Sequence, residues 1–150
     1  MDARYSLSVL AVVLSLVLGQ APVDCTQKES DGPQKFVLYP IGRVMKEGGR
    51  TFIVLDKKYE PGLMGLEEFS HVTVIYWFDR NDTPEKRSIL QVHPKGNKEN
   101  PLRGVFATHA PTRPNLIAIS RCKIISVKKN IIEIDSIDAF HNSPVLDLKN

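Results

Sequence analysis

Apolar residues in this chain of 150 residues are grouped into short runs, which prolines, glycines and polar clusters separate. Val72–Phe78 is almost wholly apolar, which is typical of a strand covered on both faces or placed at an oligomer contact. Leu116–Val127 and Ile131–Ile137 are rich in β-branched residues and flank Lys128-Lys129-Asn130, a pattern typical of a hairpin. These runs therefore predict strands rather than helices.

Two shorter runs, Phe36–Tyr39 and Thr51–Leu55, are also predicted strands, because β-branched and aromatic residues dominate them. A short helical turn is expected only within Pro61–Phe69. Many short strands at close spacing favour a barrel or a sandwich. Together with the chain length, this pattern predicts one mainly β domain over residues 36–150.

The N-terminal residues follow a different pattern. Tyr5–Leu18 is an apolar run that is shorter than the roughly 20 residues a membrane-spanning helix needs. It fits the apolar part of a secretory signal, with small residues for cleavage at Gly19-Gln20-Ala21. We predict a signal peptide or a membrane-associating leader helix over residues 1–21 and a flexible polar linker over residues 22–35.

The leader bears directly on location. A cleaved leader would make the domain secreted or periplasmic, and an uncleaved leader would tether it to a membrane. In either case, the leader is expected to engage the membrane or the secretion machinery.

Composition narrows the function only slightly. Hydrophobic residues make up 42% and charged residues 25% of the chain, which is ordinary for a soluble globular domain and unlike a disordered one. A net charge of +3 permits an anionic partner without requiring one. Cys25 and Cys122 form no C-x-x-C pair and no metal-ligand spacing, so no metal site is predicted. A disulfide between them is an open alternative if the chain is exported.

The segment Gly104–Ser120, GVFATHAPTRPNLIAIS, is a compact loop that leads directly into an apolar strand. Pro111 and Pro114 lock φ and are expected to determine the geometry of this loop. Arg113 between them is suited to hold a carboxylate or phosphate, or alternatively to clamp the loop to its own carbonyl groups. Asn115 can pair with an adenine edge, or its amide can stabilise a turn.

Two common kinds of catalytic motif are missing from the sequence. No G-x-G-x-x-G lies in a strand-turn-helix unit, which disfavours a doubly wound nucleotide-binding domain. No G-x-S-x-G is present, so Ser70-His71 is better interpreted as a structural pair than as part of a hydrolase site.

Four segments, in this order, resemble the signatures of the TrmO family, also called YaeB or TsaA-like. The family patterns are GLExFSHxWVxYxF, GVFATRSPxRPNPIGLS and DGTPVLDIKPY, after an opening strand. The corresponding segments here are Tyr39–Arg43 (YPIGR), Gly65–Phe78 (GLEEFSHVTVIYWF), Gly104–Ser120 and Ser143–Lys149 (SPVLDLK). The resemblance implies a small β-barrel that forms homodimers.

The resemblance also implies an activity. Family members use S-adenosylmethionine to methylate N6 of threonylcarbamoyladenosine in the anticodon loop of tRNA, so tRNA is the expected partner. By correspondence, the cofactor-binding residues would be Arg113, Asn115, Asp138, Ser143, Pro144 and Asp147. Either aspartate is of a type that accepts ribose hydroxyls, and each is equally suited to a turn or a solvated loop. His109 and His141 are candidate proton acceptors by residue type alone.

The chain departs from the family pattern at several positions. His109 replaces an arginine and Ala118 replaces a glycine, while His141-Asn142-Ser143 replaces Asp-Gly-Thr. A side chain in place of glycine can fill space beside a ligand, whereas Asn142 is of a type that tolerates positive φ. With the leader, these departures support an alternative, namely an exported TsaA-like binding or structural domain without catalysis. The methyltransferase interpretation requires a cytoplasmic location, where tRNA is found.

Overall fold

Six antiparallel strands close into a barrel in the computed structural model, which describes residues 34–150. The strands in this part of the chain are β1 (Gly42–Glu47), β2 (Arg50–Leu55), β3 (His71–Trp77), β4 (Gln91–Val92), β5 (Arg103–Gly104), β6 (Ile117–Lys128), β7 (Ile131–Ile134) and β8 (Pro144–Lys149). Around the barrel the order is β1-β2-β7-β6-β3-β8, and β8 pairs with β1 to close it. β4 and β5 form a separate hairpin.

Alternation of side chains along each strand fills the barrel interior. In β3, Val72, Val74 and Tyr76 point inward and are buried, while the four residues between and beside them are half-buried. The interior is apolar and consists mainly of β-branched side chains from five further strands, among them Val44, Ile53, Ala118, Cys122, Ile132, Ile134 and Val145. The mainly β, single-barrel prediction is confirmed.

The best-predicted elements are the two long runs. β3 coincides closely with the predicted Val72–Phe78 run. Leu116–Val127 and Ile131–Ile137 correspond to β6 and β7, which form a hairpin as predicted. Lys129 has a φ of 54° in its turn, so this non-glycine residue takes a left-handed conformation.

The predicted strand at Phe36–Tyr39 is wrong. This segment has no strand pairing and its side chains are exposed, and β1 begins only at Gly42. Pro40 directly after it has no backbone N–H to donate to a sheet. High β-propensity alone therefore does not make this segment a strand, since no barrel edge is left to pair with it.

The expectation of a single helical turn is also wrong. The 3-10 turns at Lys57–Leu63 and Leu66–Glu68 overlap the predicted Pro61–Phe69. Beyond these, the structure contains α1 (Pro84–Arg87) and further 3-10 turns at Asp79–Asn81, Pro94–Gly96 and Val105–Ala107. Thr83 caps α1 by accepting a hydrogen bond from the Lys86 backbone N–H at 3.3 Å, a local signal that sequence reasoning overlooked. No helix within residues 34–150 is long and apolar enough to span a bilayer.

The chain leaves the barrel after β3 and returns at β6, although these two strands are neighbours. The Phe78 backbone N–H donates to the Leu116 carbonyl at 2.9 Å, which closes the base of this excursion. The excursion contains α1, the β4–β5 hairpin and the proline-rich loop. It is the part of the fold that positions the candidate site.

The predicted leader and Cys25 lie outside the described residues, as does almost all of the linker. The corresponding domain boundaries, the disulfide and the location stay predictions. Cys122, the other cysteine, is buried and is the one cysteine within residues 34–150.

Close strand contact explains a requirement for glycine at position 42. A Cβ on Gly42 would overlap the Val54 carbonyl oxygen and lie 2.7 Å from the Leu55 Cα. We therefore expect Gly42→Ala to lower the free energy of unfolding by at least about 1–3 kcal/mol, the usual cost of overpacking. Urea unfolding would measure this change. The matched control is Gly62→Ala, because a Cβ there meets open space; equal effects of the two variants would contradict the prediction.

Burial of the Cys122 thiol should make the stability of the fold depend on pH. Burial, with a smaller contribution from the charge of Asp135, raises the pKa of Cys122 from 9.0 to about 11. The thiol therefore stabilises the fold fully below pH 9, and this stabilisation is lost between about pH 9 and 11, where only the unfolded thiol ionises. In a Cys25→Ser background, the stability difference between the Cys122 and Cys122→Ala proteins should shrink by on the order of 2 kcal/mol over this range. A stability difference between the two proteins that stays constant from pH 9 to 11 would contradict this prediction.

Candidate functional site

A cavity of about 430 Å³ lies at the end of the barrel where β3 ends and β8 begins. Three segments that are far apart in sequence line it. They are the end of β3 with the turn and helix after it, the proline-rich loop, and the loop before β8. The lining residues are Tyr76–Asn81, Lys86, His109, Pro111, Asp138–Phe140 and Ser143. Its volume is in the range of small-molecule sites.

Tyr76 forms the inner wall of this cavity. Its ring is 3% exposed and packs edge-to-face against Phe78, with the ring centroids 5.7 Å apart. Its hydroxyl donates to the Asp138 carbonyl oxygen at 3.1 Å, which ties β3 to the loop before β8. Desolvation raises the pKa of Tyr76, so the phenol stays protonated and remains a donor.

The cavity also contains a carboxylate held by a buried hydroxyl. Ser143 is 2% exposed, and its Oγ donates to Asp79 Oδ1 at 3.4 Å. Asp79 follows β3 directly and is itself exposed. Asp138 is a second exposed carboxylate in the lining. The cavity therefore presents two acceptor groups to a ligand.

A group of three side chains joins α1 to the proline-rich loop. Arg87 Nε donates to Asp82 Oδ1 at 2.8 Å, and Trp77 Nε1 donates to Asp82 Oδ2 at 3.2 Å. The hydrogen bond from Arg87 is the main reason that the pKa of Asp82 is lowered. Arg87 Nη1 also donates to the Pro114 carbonyl at 2.7 Å. The two sides of the excursion are thus held together beside the cavity.

Arg80 and Phe140 lie at the cavity mouth. The Arg80 guanidinium carbon is 4.0 Å from the centroid of the Phe140 ring, a cation–π contact. Lys86 Nζ donates to the Arg80 carbonyl at 3.0 Å, so a second cation is placed close by. Both Arg80 and Phe140 are exposed.

Three of the predicted site residues meet at this cavity, namely His109, Asp138 and Ser143. Two others lie in the proline-rich loop beside it without lining it. Arg113 Nη2 donates to the Val105 carbonyl at 3.4 Å, which is the loop-clamping role considered above. Asn115 is exposed, and its carbonyl accepts from the Ile117 backbone N–H at 2.7 Å.

The remaining predicted residues lie elsewhere. His141 is exposed, and its Nδ1 accepts from the Lys46 backbone N–H at 3.1 Å, so it is directed at β1. Pro144 pairs with Arg43 at the start of β8. Asp147, further along β8, lines a different cavity of about 560 Å³ with residues such as Leu63 and Phe69. The structure therefore separates Asp147 from Asp138.

Two of the departures from the family pattern can now be placed. Ala118 is 4% exposed, pairs with Tyr76 inside the barrel and does not line the cavity. Asn142 has a φ of 71°, a conformation that a glycine or asparagine adopts most readily. Neither substitution fills the cavity.

Sequence reasoning missed Asp79, Arg80 and Phe140. The first two follow the apolar run of β3 immediately, and polar residues at a strand end are a general signal for a site. Phe140 is a lone aromatic residue in the loop before β8, followed by His141 and Asn142, which was a further signal. Within residues 34–150, no three His, Cys, Asp or Glu side chains are grouped as metal ligands.

Comparison with known proteins agrees with the fold and the signatures. The family model described as the tRNA-methyltransferase O N-terminal domain matches residues 34–150. A probable S-adenosyl-L-methionine-binding protein of Methanocaldococcus jannaschii is 44% identical over 114 residues, covering 76% of this chain and 90% of that protein. The human tRNA (adenine(37)-N6)-methyltransferase is 39% identical over 90 residues, covering 60% of this chain and 20% of that protein.

A solved structure has the same fold. The crystal structure of TrmO from Pseudomonas aeruginosa matches with a TM-score of 0.60 and 25% identity, covering 80% of this chain. The present chain spans 56% of the length of that TrmO chain. Because the family model covers the whole described region and the barrel agrees, the chain belongs to the TrmO family.

Proposed function

We propose that this chain binds S-adenosylmethionine in the cavity at the end of β3 and methylates N6 of threonylcarbamoyladenosine in the anticodon loop of tRNA. One observation carries the proposal: the two family signatures Gly104–Ser120 and Ser143–Lys149, which are distant in sequence, contribute His109 and Ser143 to one cavity, and Asp138 from the loop before β8 joins them. The M. jannaschii relative is named a probable S-adenosylmethionine-binding protein, and the human relative a tRNA adenine-37 N6-methyltransferase. Both names support this assignment.

The cavity chemistry fits the cofactor. The carboxylates of Asp79 and Asp138 are suited to accept ribose hydroxyls. Lys86 retains donors for the methionyl carboxylate, because an ammonium has three N–H groups and one is used for Arg80. The rings of Trp77 and Phe78 supply apolar surface for the adenine. The cavity is therefore lined by a partner for each part of the cofactor.

When bound, S-adenosylmethionine supplies an electrophilic methyl group. The acceptor N6 is a poor nucleophile because its lone pair is delocalised, so positioning and proton removal must share the catalytic work. Of the two candidate histidines, His109 lines the cavity and is placed to accept the N6 proton. His141 has its Nδ1 engaged by the Lys46 backbone. Buried Tyr76, Ala139 and Ser143 exclude water from the inner wall.

The proposal places the domain in the cytoplasm, with the leader as an uncleaved tether, because the cofactor and tRNA are found there. We also propose a homodimer as the active form. Mass spectrometry of the N-terminus tests the location. Loss of about the first 21 residues would indicate export and would favour the exported binding domain instead.

The two aspartates allow a matched test of the cofactor site. Asp138→Asn should weaken S-adenosylmethionine binding by roughly 10- to 100-fold, because a hydrogen bond to a charged group contributes about 1.5–3 kcal/mol. Asp147→Asn makes the same chemical change in the other cavity and should leave affinity within a few-fold of wild type. Isothermal titration calorimetry would measure both. Absence of binding to the folded wild-type protein would refute the proposed function. A loss of affinity confined to Asp147→Asn would instead place the cofactor site in the cavity that Asp147 lines.

The two histidines allow a test of proton removal. His109→Ala should lower the single-turnover rate of methyl transfer to a modified tRNA by roughly 10²–10⁴-fold, the usual contribution of a positioned base. Cofactor affinity should change little. His141→Ala is the control and should retain the rate within a few-fold, because this side chain lies outside the cavity. Similar rate losses in both variants would rule out the specific role of His109.

A further inference from the structure

An exposed aromatic ring at the cavity mouth is not accounted for by the core. Phe140 is 56% exposed, although its neighbour Ala139 and nearby Ser143 are almost wholly buried. Burial of a phenylalanine side chain would stabilise the fold by roughly 1.5–3 kcal/mol. The sequence thus keeps a large apolar ring in solvent at the entrance of the site.

Arg80 lies against this ring from a different segment. Its guanidinium carbon is 4.0 Å from the ring centroid, the shortest of the four cation–π contacts within residues 34–150. Arg50 and Arg87 each form an ion pair, whereas Arg80 forms none with the described residues. Its charge is therefore available to a ligand, and its planar group extends the flat surface of the ring.

The surroundings of Arg80 and Phe140 favour a nucleobase, rather than a phosphate, as the group that binds at the mouth. Asp79 and Asp138 line the same cavity as Arg80 and Lys86, so the lining carries no net positive charge to hold a phosphate. Cations instead surround the loop that carries Phe140. Arg43 donates to the Asn142 carbonyl and Lys46 Nζ to the Ile137 carbonyl, at 3.3 and 3.0 Å. A nucleic acid backbone could therefore follow this rim while a base enters the mouth.

We propose that Arg80 and Phe140 form a stacking platform for an unpaired nucleobase of the RNA substrate. This inference rests on the proposed function and names how that same site holds its acceptor. Unpaired bases in RNA are bound by stacking on aromatic rings and on arginine planes. The cavity lining would hold the cofactor, and the platform would orient the RNA at the mouth. Arg80 and Phe140 are thus positioning residues for the acceptor.

The test uses equilibrium binding of a short single-stranded RNA in which 2-aminopurine replaces one adenine. Stacking of the probe quenches its fluorescence. Phe140→Ala should weaken binding by roughly 5- to 100-fold, the range measured for loss of one stacked base, and should abolish the quenching. Phe140→Trp should retain both. Arg80→Lys should lose much of the affinity despite its charge, because an ammonium has no plane to stack.

Two matched controls separate stacking from general effects. Phe69→Ala removes another exposed ring, at the Asp147 cavity, and Arg121→Ala removes an exposed charge from β6. Both variants should bind the RNA within a few-fold of wild type.

Several outcomes would overturn the platform. They are wild-type RNA affinity in Phe140→Ala, wild-type RNA affinity in Arg80→Lys, or a wild-type protein that does not quench the fluorescence of the probe. A loss of S-adenosylmethionine affinity in Phe140→Ala with intact RNA binding would assign the pair to the cofactor instead. The proposed function can fail separately: a protein that binds RNA through the pair but binds no S-adenosylmethionine would keep the platform and refute the methyltransferase.

Discussion

The candidate site depends on barrel closure by β8, which pairs with β1 on one side and β3 on the other. Val145 is the residue where both pairings meet, since it lies opposite Gly42 and Tyr76. This pairing places the loop before β8 beside the end of β3. Without it, Ser143 could not reach Asp79, and the Tyr76 hydroxyl could not reach the Asp138 carbonyl. Gly42 itself pairs with Leu55 of β2 and with Val145 of β8, and its lack of a side chain permits the close approach to β2.

A second constraint holds the third wall of the cavity. The proline-rich loop lies in an excursion outside the barrel, where buried Val105 and Leu116 fix its two ends. Between these ends, Arg87 donates to both Asp82 and the Pro114 carbonyl, while Arg113 donates to the Val105 carbonyl within the loop. His109 is thereby kept at the cavity by hydrogen bonds to residues that do not line it. Residues that hold the loop are therefore distinct from residues that line the cavity, and Arg113 is one of those that hold the loop.

The cavity combines opposite electrostatic characters. Its lining presents two carboxylates, which suit a ligand rich in hydroxyl groups, while its mouth and surrounding loop carry cations, which suit a polyanion. Asp147, further along β8, lines a separate cavity with Glu68 and Lys149, so the presence of a carboxylate alone does not define the site. The proposed methyl transfer uses both characters, with the small cofactor inside and the RNA at the rim.

The sequence by itself determined the fold class, the β6–β7 hairpin, the course of β3 and the family, because period-two patterns, turn residues and signatures are local properties. It also identified His109, Asp138 and Ser143 as candidates. Only the tertiary structure decided that Asp147 and His141 lie outside the cavity shared by those three, since this depends on which strands become neighbours. The same reason applies to Asp79, Arg80 and Phe140, and to the unpaired Phe36–Tyr39: strand pairing between distant segments is not encoded in any local pattern.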